Sequence, residues 1–247
     1  MLSESEKLNE RRKWREMPEL VPPVTVRLKF RKVGSLQYIS HLDLQRTFNR
    51  VIVRACLPVW YTKGFNPHAK LVFSTPLSVG VQSEYEFLDI RFDRAISCEE
   101  IRERLNRELT DELCILDAYL PDADFSEIAY SAYTYRFHLT NASALLAERA
   151  QEVLTHSPLV LTKKTKSGER EVDIVPLIRQ VKADYEPQSG EITMRAVLRA
   201  SVGDFLNPEL LVTALRRECG ILSGDPMQEW YDIIRTATMK EDMSLFR

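Results

Sequence analysis

The sequence predicts an α+β protein of two tandem ferredoxin-like (βαββαβ-type) units, with antiparallel sheets and extra hairpins. Three observations lead to this prediction. The chain has 247 residues, which is enough to form two hydrophobic cores. Its apolar fraction of 44% and charged fraction of 28% are typical of a globular protein. Each half of the chain shows the same order of predicted strands and helices, although the two halves do not share residue identity.

The order of elements divides the chain into five segments. The charged N-terminal arm is predicted to be either a short solvated helix or a disordered leader. It lacks the apolar region of a secretory signal, and no stretch reaches the ~18 apolar residues of a membrane span, so we expect a cytoplasmic protein. The segments are the arm at 1–23, the first unit at 24–121, a linker at 122–129, the second unit at 130–240 and a tail at 241–247.

In the first unit, alternating apolar residues from Val24 to Phe30 predict a half-buried strand. Ser40 is a candidate helix N-cap, and Asp43 three residues later completes a capping box. Apolar residues then recur at helical spacing on one face of this helix. Further strands are predicted at 57–61, 71–74, 84–92 and 114–120, with a helix at 98–109. The second unit repeats this order with strands at 130–139, 160–162, 172–175, 191–200 and 229–238 and helices at 142–154 and 208–219.

Charged residues are distributed unevenly along a chain whose net charge is only −2. Residues 24–82 contain nine Lys or Arg and a single acid, Asp43, whereas residues 83–129 contain fourteen acids and five bases. Polarisation on this scale predicts one face that binds an anionic partner.

Loop 62–70 is the first candidate site in the basic stretch. Gly64 and Asn66 tolerate positive φ and Pro67 restricts the chain after them, which predicts a loop of defined shape. Cationic groups interleaved with an aromatic ring are what single-stranded RNA or a nucleotide requires. The alternative is that the aromatic ring fills the core and the cations are solvated. The groups concerned are Lys63, Phe65, Asn66, His68 and Lys70.

The start of the helix after Ser40 is the second candidate site. The free N–H groups and positive dipole of a helix N-terminus suit a phosphate or a carboxylate. His41 is a candidate general acid or base, and Tyr38 is a second catalytic candidate. The alternative for His41 is a hydrogen-bonded structural role. Three arginines, four residues apart along the helix, form a stripe away from its apolar face and are candidate RNA-binding groups: Arg46, Arg50 and Arg54.

A third candidate site lies in the second unit, where four bases surround Gly168 and predict a basic hairpin tip: Lys163, Lys164, Lys166 and Arg170. This tip has the same place in the order of elements as loop 62–70. The two loops are therefore predicted to flank one cleft, and a solvated hairpin tip is the alternative.

Several chemistries lack their sequence signatures. The chain has no Walker A loop, no Gly-x-Gly-x-x-Gly after a strand, no His-Glu-x-x-His and no Gly-x-Ser-x-Gly. Phosphoryl transfer, dinucleotide redox chemistry and triad hydrolysis are therefore disfavoured. The four cysteines are widely spaced, so we expect neither a metal site nor a cofactor in this chain. Cys56 and Cys114 lie in apolar runs and are predicted to be buried thiols.

The first unit carries a long motif with a family resemblance. It consists of YISHLDL at 38–44, Leu57-Pro58, GFNPHAK at 64–70, PLSVG at 76–80 and Ser83, and KSG at 166–168 and VDI at 172–174 follow in the second unit. This pattern resembles a bacterial radical-SAM-associated domain family of unknown function, over roughly 24–236. The positions assigned structural roles in the motif are Asp43, Gly64, Pro67, Pro76 and Gly80.

The resemblance implies a freestanding form of a module that is also found fused to the C-terminus of cobalamin-binding radical-SAM proteins. A separately encoded radical-SAM partner would carry the iron–sulfur cluster, S-adenosylmethionine and cobalamin. Because the family's role is unassigned, the resemblance implies no catalytic residue.

Three hypotheses for function follow. The first is a non-catalytic RNA-binding accessory module that presents tRNA or rRNA to the radical-SAM modifying enzyme. The second is a protein-interaction scaffold in which the arginine stripe docks the radical-SAM partner. The third is a metal-independent RNA-processing enzyme that uses His41.

Overall fold

A computed structural model describes residues 3–156, 158–165 and 168–247. The chain divides into two compact units, which we call unit 1 (Met1–Asp124 with Arg247) and unit 2 (Phe125–Phe246). The described residues form five α-helices and ten strands with antiparallel pairing, so the α+β class is confirmed. None of the helices in the described ranges is long and apolar enough to cross a membrane.

The elements of unit 1 are α1 (Glu4–Glu16), β1 (Val24–Lys32), a 3₁₀ turn (Gly34–Tyr38), α2 (His41–Arg54), β2 (Leu71–Phe73), β3 (Val81–Phe92), α3 (Cys98–Asn106) and β4 (Leu113–Tyr119). The strands form a four-stranded antiparallel sheet in the order β4-β1-β3-β2. The alternation predicted for β1 is observed, because Val26, Leu28 and Phe30 are all buried. The rings of Phe30 and Phe48 of α2 pack edge to face with their centroids 5.1 Å apart, and this contact packs the helix against the sheet.

The N-terminal arm is not solvated. Trp14 of α1 is only 7% exposed, and its indole N–H donates to the carbonyl of Cys56 at 2.8 Å. Glu10 pairs with Arg104 of α3 at 2.7 Å. The prediction of a solvated or disordered arm was wrong, because a single large aromatic ring in a charged helix is enough to dock it.

The elements of unit 2 are β5 (Tyr130–His138), α4 (Ala144–Thr155), β6 (Val160–Thr165), β7 (Gly168–Asp173), β8 (Ile178–Glu186), β9 (Glu191–Arg199), α5 (Glu209–Cys219) and β10 (Trp230–Met239). Four of the strands form an antiparallel sheet in the order β10-β5-β9-β8, and β6 and β7 pair as a separate two-stranded sheet. Gly220 caps the C-terminus of α5, and its φ of 65° is the left-handed conformation that glycine adopts at helix C-termini.

Several local features differ from the sequence predictions. Strand β8 was not predicted, because most of its residues are half-buried or exposed on both faces and show no clear alternation. Residues 57–61 form isolated bridges, at Val59 and Tyr61, in place of a strand. The predicted tail at 241–247 carries the fully buried Phe246. Cys56 is a buried thiol as predicted, whereas Cys114 is only partly buried.

Replacing Trp14 tests whether α1 is part of unit 1. Trp14→Ala is expected to lower the free energy of unfolding by about 3–5 kcal/mol, as for other buried aromatic truncations. Trp14→Phe keeps most of the packing and loses the hydrogen bond to Cys56, so it is expected to cost about 1 kcal/mol. Urea unfolding followed by circular dichroism measures both. Arg12→Ala, on an exposed position of the same helix, is the control. Wild-type stability in Trp14→Ala would mean that the helix is a solvated arm.

Candidate nucleic-acid interface

Loop 62–70 is held away from the sheet by strand register. Val59 pairs with Phe92 of β3, and Leu71 pairs with Ile90 of the same strand. The partners on β3 are only two residues apart, whereas Val59 and Leu71 are separated by the whole of residues 60–70. Most of the intervening residues therefore have no pairing position along β3, and they leave the sheet as a loop. A bridge between Tyr61 and Ala69 closes the base of this loop.

Hydrogen bonds within the loop fix its shape. The amide of Thr62 donates to the carbonyl of His68 at 3.0 Å, and the amide of His68 donates to Oγ1 of Thr62 at 3.2 Å. Nδ1 of His68 lies 3.1 Å from this hydroxyl and 3.0 Å from the carbonyl of Asn66. At the turn itself Gly64 has a φ of 150°, which explains the glycine. His68 is thus a structural residue of the loop, and both of these side-chain contacts are made by Nδ1.

The groups on the loop are presented to solvent. Phe65 is fully exposed, so the alternative in which its ring fills the core was wrong. Lys63, Asn66 and Lys70 are also exposed, and neither lysine has an ion pair among the described residues. Ala69 is buried at the base and anchors the loop in the core. The loop is thus held in shape by its own hydrogen bonds and exposes an aromatic ring, which lies between two exposed lysines in the sequence.

Most other bases of residues 24–82 are engaged within unit 1. Arg27 is buried and makes a two-pronged contact with Asp89 at 2.8 and 2.9 Å. On the helical stripe, Arg54 pairs with Glu108 at 3.0 Å and Arg46 with Asp43 at 3.2 Å. Only Arg50 of the stripe is exposed without an ion pair in the described part of the chain. The charge polarisation along the sequence therefore reflects internal pairing to a large extent, and the stripe offers less charge than predicted.

Ser40 caps α2 as predicted. Its hydroxyl accepts from the amide of Asp43 at 3.1 Å and donates to the Asp43 carboxylate at 2.7 Å. The Ser40 hydrogen bond, helped by Arg46, lowers the pKa of Asp43 below its usual value. The carboxylate thus bonds mainly the cap side chain, and a smaller contribution to its lowered pKa comes from the Ser40 backbone N–H, the partner expected in a capping box.

His41 begins α2, is exposed, and packs its ring edge to face on Phe73 at 5.0 Å. Beside it is a cavity of about 10 Å³, roughly the space of one water. Two charged residues that were not predicted line this cavity with His41: Lys32, which is 2% exposed, and Glu86, which is 5% exposed. Sequence reasoning did not find Lys32 and Glu86, which belong to β1 and β3. The alternation of a strand predicts buried positions only from apolar residues, so a buried charged residue gives no such signal. Tyr38 is largely exposed and does not line the cavity.

The motif segment at 76–80 packs on the 3₁₀ turn (Gly34–Tyr38) that precedes α2. The amide of Gly80 donates to the carbonyl of Gln37 at 2.9 Å, and Gly80 has a φ of 87° that favours glycine. Leu77, which follows Pro76, lines the cavity beside His41. The motif therefore forms two local groups: residues around 37–43 with 73–80, and loop 62–70, whose residues do not line that cavity.

The basic hairpin of unit 2 has longer strands than predicted. Lys163 pairs with Arg170 and Lys164 with Glu169 in the ladder of β6 and β7, so these bases belong to strands and not to a loop. Lys166 lies outside the described residues. Among the described residues, no three His, Cys, Asp or Glu side chains are arranged to hold a metal ion.

Comparisons with known proteins give one family. Residues 25–208 match the family described as "Uncharacterized protein conserved in bacteria (DUF2344)". No curated protein matches the sequence. A chain in a crystal structure of a Cbf5-Nop10-Gar1 complex is 10% identical with a TM-score of 0.43, over 88% of this chain and 50% of that one. An unknown protein from Galdieria sulphuraria is 10% identical with a TM-score of 0.25, over 86% of this chain and 98% of that one. The chain thus spans half of the first structure, and neither likeness supports a conclusion.

The Ser40 cap gives a testable pKa. Removing the hydroxyl in Ser40→Ala is expected to raise the pKa of Asp43 towards its ordinary value, since this bond is the largest cause of the lowered pKa. In the wild type, the contribution of Asp43 to stability is present above the unfolded pKa of about 3.9 and is lost as the pH falls through the lowered folded pKa. Carboxyl NMR titration measures the shift. Thr47→Val, which removes a hydroxyl bonded to the Asp43 backbone carbonyl, is the control. An unchanged pKa in Ser40→Ala would refute the assignment.

Proposed function

This chain belongs to the DUF2344 family of uncharacterized proteins conserved in bacteria, and we propose that it is a non-catalytic RNA-binding accessory module. In this proposal, loop 62–70 binds a single-stranded part of a tRNA or rRNA and presents it to a separately encoded radical-SAM modifying enzyme. The observation that carries the proposal is the fully exposed Phe65 between two exposed lysines on a hydrogen-bonded loop.

The chemistry of the loop suits a single strand better than a duplex. An exposed aromatic ring stacks on an unpaired base, which contributes about 1–3 kcal/mol and tolerates any base. Lys63 and Lys70 supply charge for phosphates on either side of the stacked base. Because the bonds of Thr62 and His68 already fix the loop, little conformational entropy is lost on binding.

The two units support a tandem arrangement. With α1 and the β6–β7 hairpin set aside, both run β-α-β-β-α-β, and both sheets place the fourth strand, first strand, third strand and second strand side by side. We infer that both are ferredoxin-like units. The hairpin of unit 2 and loop 62–70 of unit 1 both lie between the first helix of the βαββαβ order and the second strand of the sheet. That these two loops flank one cleft stays a prediction.

The radical-SAM partner rests on the motif resemblance alone. The iron–sulfur cluster, S-adenosylmethionine and cobalamin would belong to that partner, and this chain would supply RNA recognition. Co-purification of a radical-SAM protein with this chain is the observation that this part of the proposal requires.

A second candidate function is RNA processing by His41, which the cavity with Lys32 and Glu86 favours. The cavity has room for about one water, so an RNA substrate would meet His41 from its exposed side. Loss of RNA cleavage in His41→Ala with unchanged RNA affinity would establish this function, and cleavage that survives the change would end it.

Binding through loop 62–70 predicts two separable effects. Phe65→Ala is expected to weaken binding of a single-stranded oligoribonucleotide about tenfold without changing its salt dependence, because stacking involves no counterion. Lys63→Ala and Lys70→Ala should each reduce the slope of log affinity against log salt by about one unit. Fluorescence anisotropy at several salt concentrations measures both quantities.

Matched controls for these variants are Arg107→Ala in unit 1 and Lys182→Ala in unit 2, two exposed bases outside the loop sequence that already pair with Glu103 and Asp184. Both should leave affinity and slope unchanged. If all variants weakened binding equally, RNA would be held by non-specific charge, and loop 62–70 would not be the site.

A further inference from the structure

A groove between α1 and α2 in unit 1 is not used by the function proposed above. Its volume is about 290 Å³, near the lower limit of small-molecule pockets, which is ~300 Å³. The walls are mostly apolar and come from both helices and from residues 56–61; they include Trp14, Val53, Leu57 and Pro58. Its main polar lining groups are Arg11, Arg15 and Tyr61, and a small number of polar groups among apolar walls is typical of small-molecule sites.

Two arginines of α1 line one side of the groove. Arg11 and Arg15 are four residues apart, so they lie on the same face of the helix. Both are exposed, and neither forms a direct ion pair among the described residues, while Glu4 interacts with the charge of Arg11 at longer range. Two other bases of this helix form ion pairs, Lys7 with Glu4 and Arg12 with Glu16, whereas Lys13 lies over the Trp14 ring at 4.6 Å. The groove therefore combines apolar walls with two exposed guanidinium groups, which suit a phosphate.

The groove and loop 62–70 are parts of one surface of unit 1. Tyr61 lines the groove, is partly exposed, and pairs with Ala69 at the base of the loop. Arg50 adds a further unpaired cation, three residues before Val53 and hence on a neighbouring position of α2. Tyr61 therefore joins the groove to the base of loop 62–70.

We propose that this groove is a nucleotide-binding subsite. It takes one unstacked base between its apolar walls, against Tyr61, and Arg11 and Arg15 bind the phosphate of the same nucleotide. The subsite rests on the proposed function, because it extends the RNA path that begins at loop 62–70. It assigns to α1 a role in binding that the charge of the arm alone does not indicate.

Filling the groove is the sharpest test. Val53 is half-exposed in its wall, so Val53→Trp occupies the space without removing a charge. Affinity for a single-stranded oligoribonucleotide is expected to fall about tenfold with an unchanged salt slope. The double variant Arg11→Ala, Arg15→Ala should instead reduce the slope by about two units. Arg12→Ala, on the same helix, is the matched control and should bind as the wild type does. Thermal unfolding checks that each variant is folded.

Two further measurements locate the nucleotide and separate this proposal from the proposed function. An oligoribonucleotide with one 4-thiouridine should crosslink to Tyr61 or Trp14. Wild-type RNA affinity in Val53→Trp, or crosslinks confined to other peptides, would overturn the subsite and leave RNA binding by the loop intact. If the wild type binds no RNA, the proposed function fails, and adenosine monophosphate then tests the groove alone. Saturable binding that Val53→Trp abolishes would support a nucleotide site, and no binding would overturn it.

Discussion

The register at the edge of β3 is the constraint on which the features of unit 1 depend. Since Val59 and Leu71 occupy nearby positions beside this strand, the chain between them must leave the sheet. Backbone groups that leave a sheet need other partners, and Thr62 and His68 supply them within the loop. The same geometry places Tyr61 at the junction of the loop and the α1–α2 groove. Phe65 is exposed because the loop is closed without it.

Electrostatics in unit 1 follow from pairing across long sequence separations. Arg27 with Asp89 and Arg54 with Glu108 each join the basic stretch to the acidic one, so the two stretches neutralise each other in the fold. Exposed pairs such as Arg46 with Asp43 contribute little to stability. What remains for an anionic partner is a smaller set of cations on the loop and on the two helices beside the groove. A few cations at fixed positions can orient an anionic partner, whereas a diffuse basic face cannot.

Local signals in the sequence predicted local structure well. The cap at Ser40 and the helical spacing after it predicted α2, and the alternation from Val24 predicted β1. Gly64, with its neighbours Asn66 and Pro67, predicted a loop of defined shape. Features that depend on distant partners were not predictable in this way. The docking of Trp14, the burial of Lys32 and Glu86 together, and the neutralisation of Arg54 all require contacts between residues far apart in sequence.

Strand β8 shows a different limit, because a strand exposed on much of both faces carries no hydrophobic period to detect. The candidate site was therefore predictable as a loop, whereas its electrostatic surroundings could be known only from the fold.

The measurement that tests the central claim most directly is binding of the purified protein to total cellular tRNA and rRNA fragments over a salt titration. The account predicts submicromolar affinity at low salt, with log affinity falling linearly with log salt. No binding at low salt would contradict it.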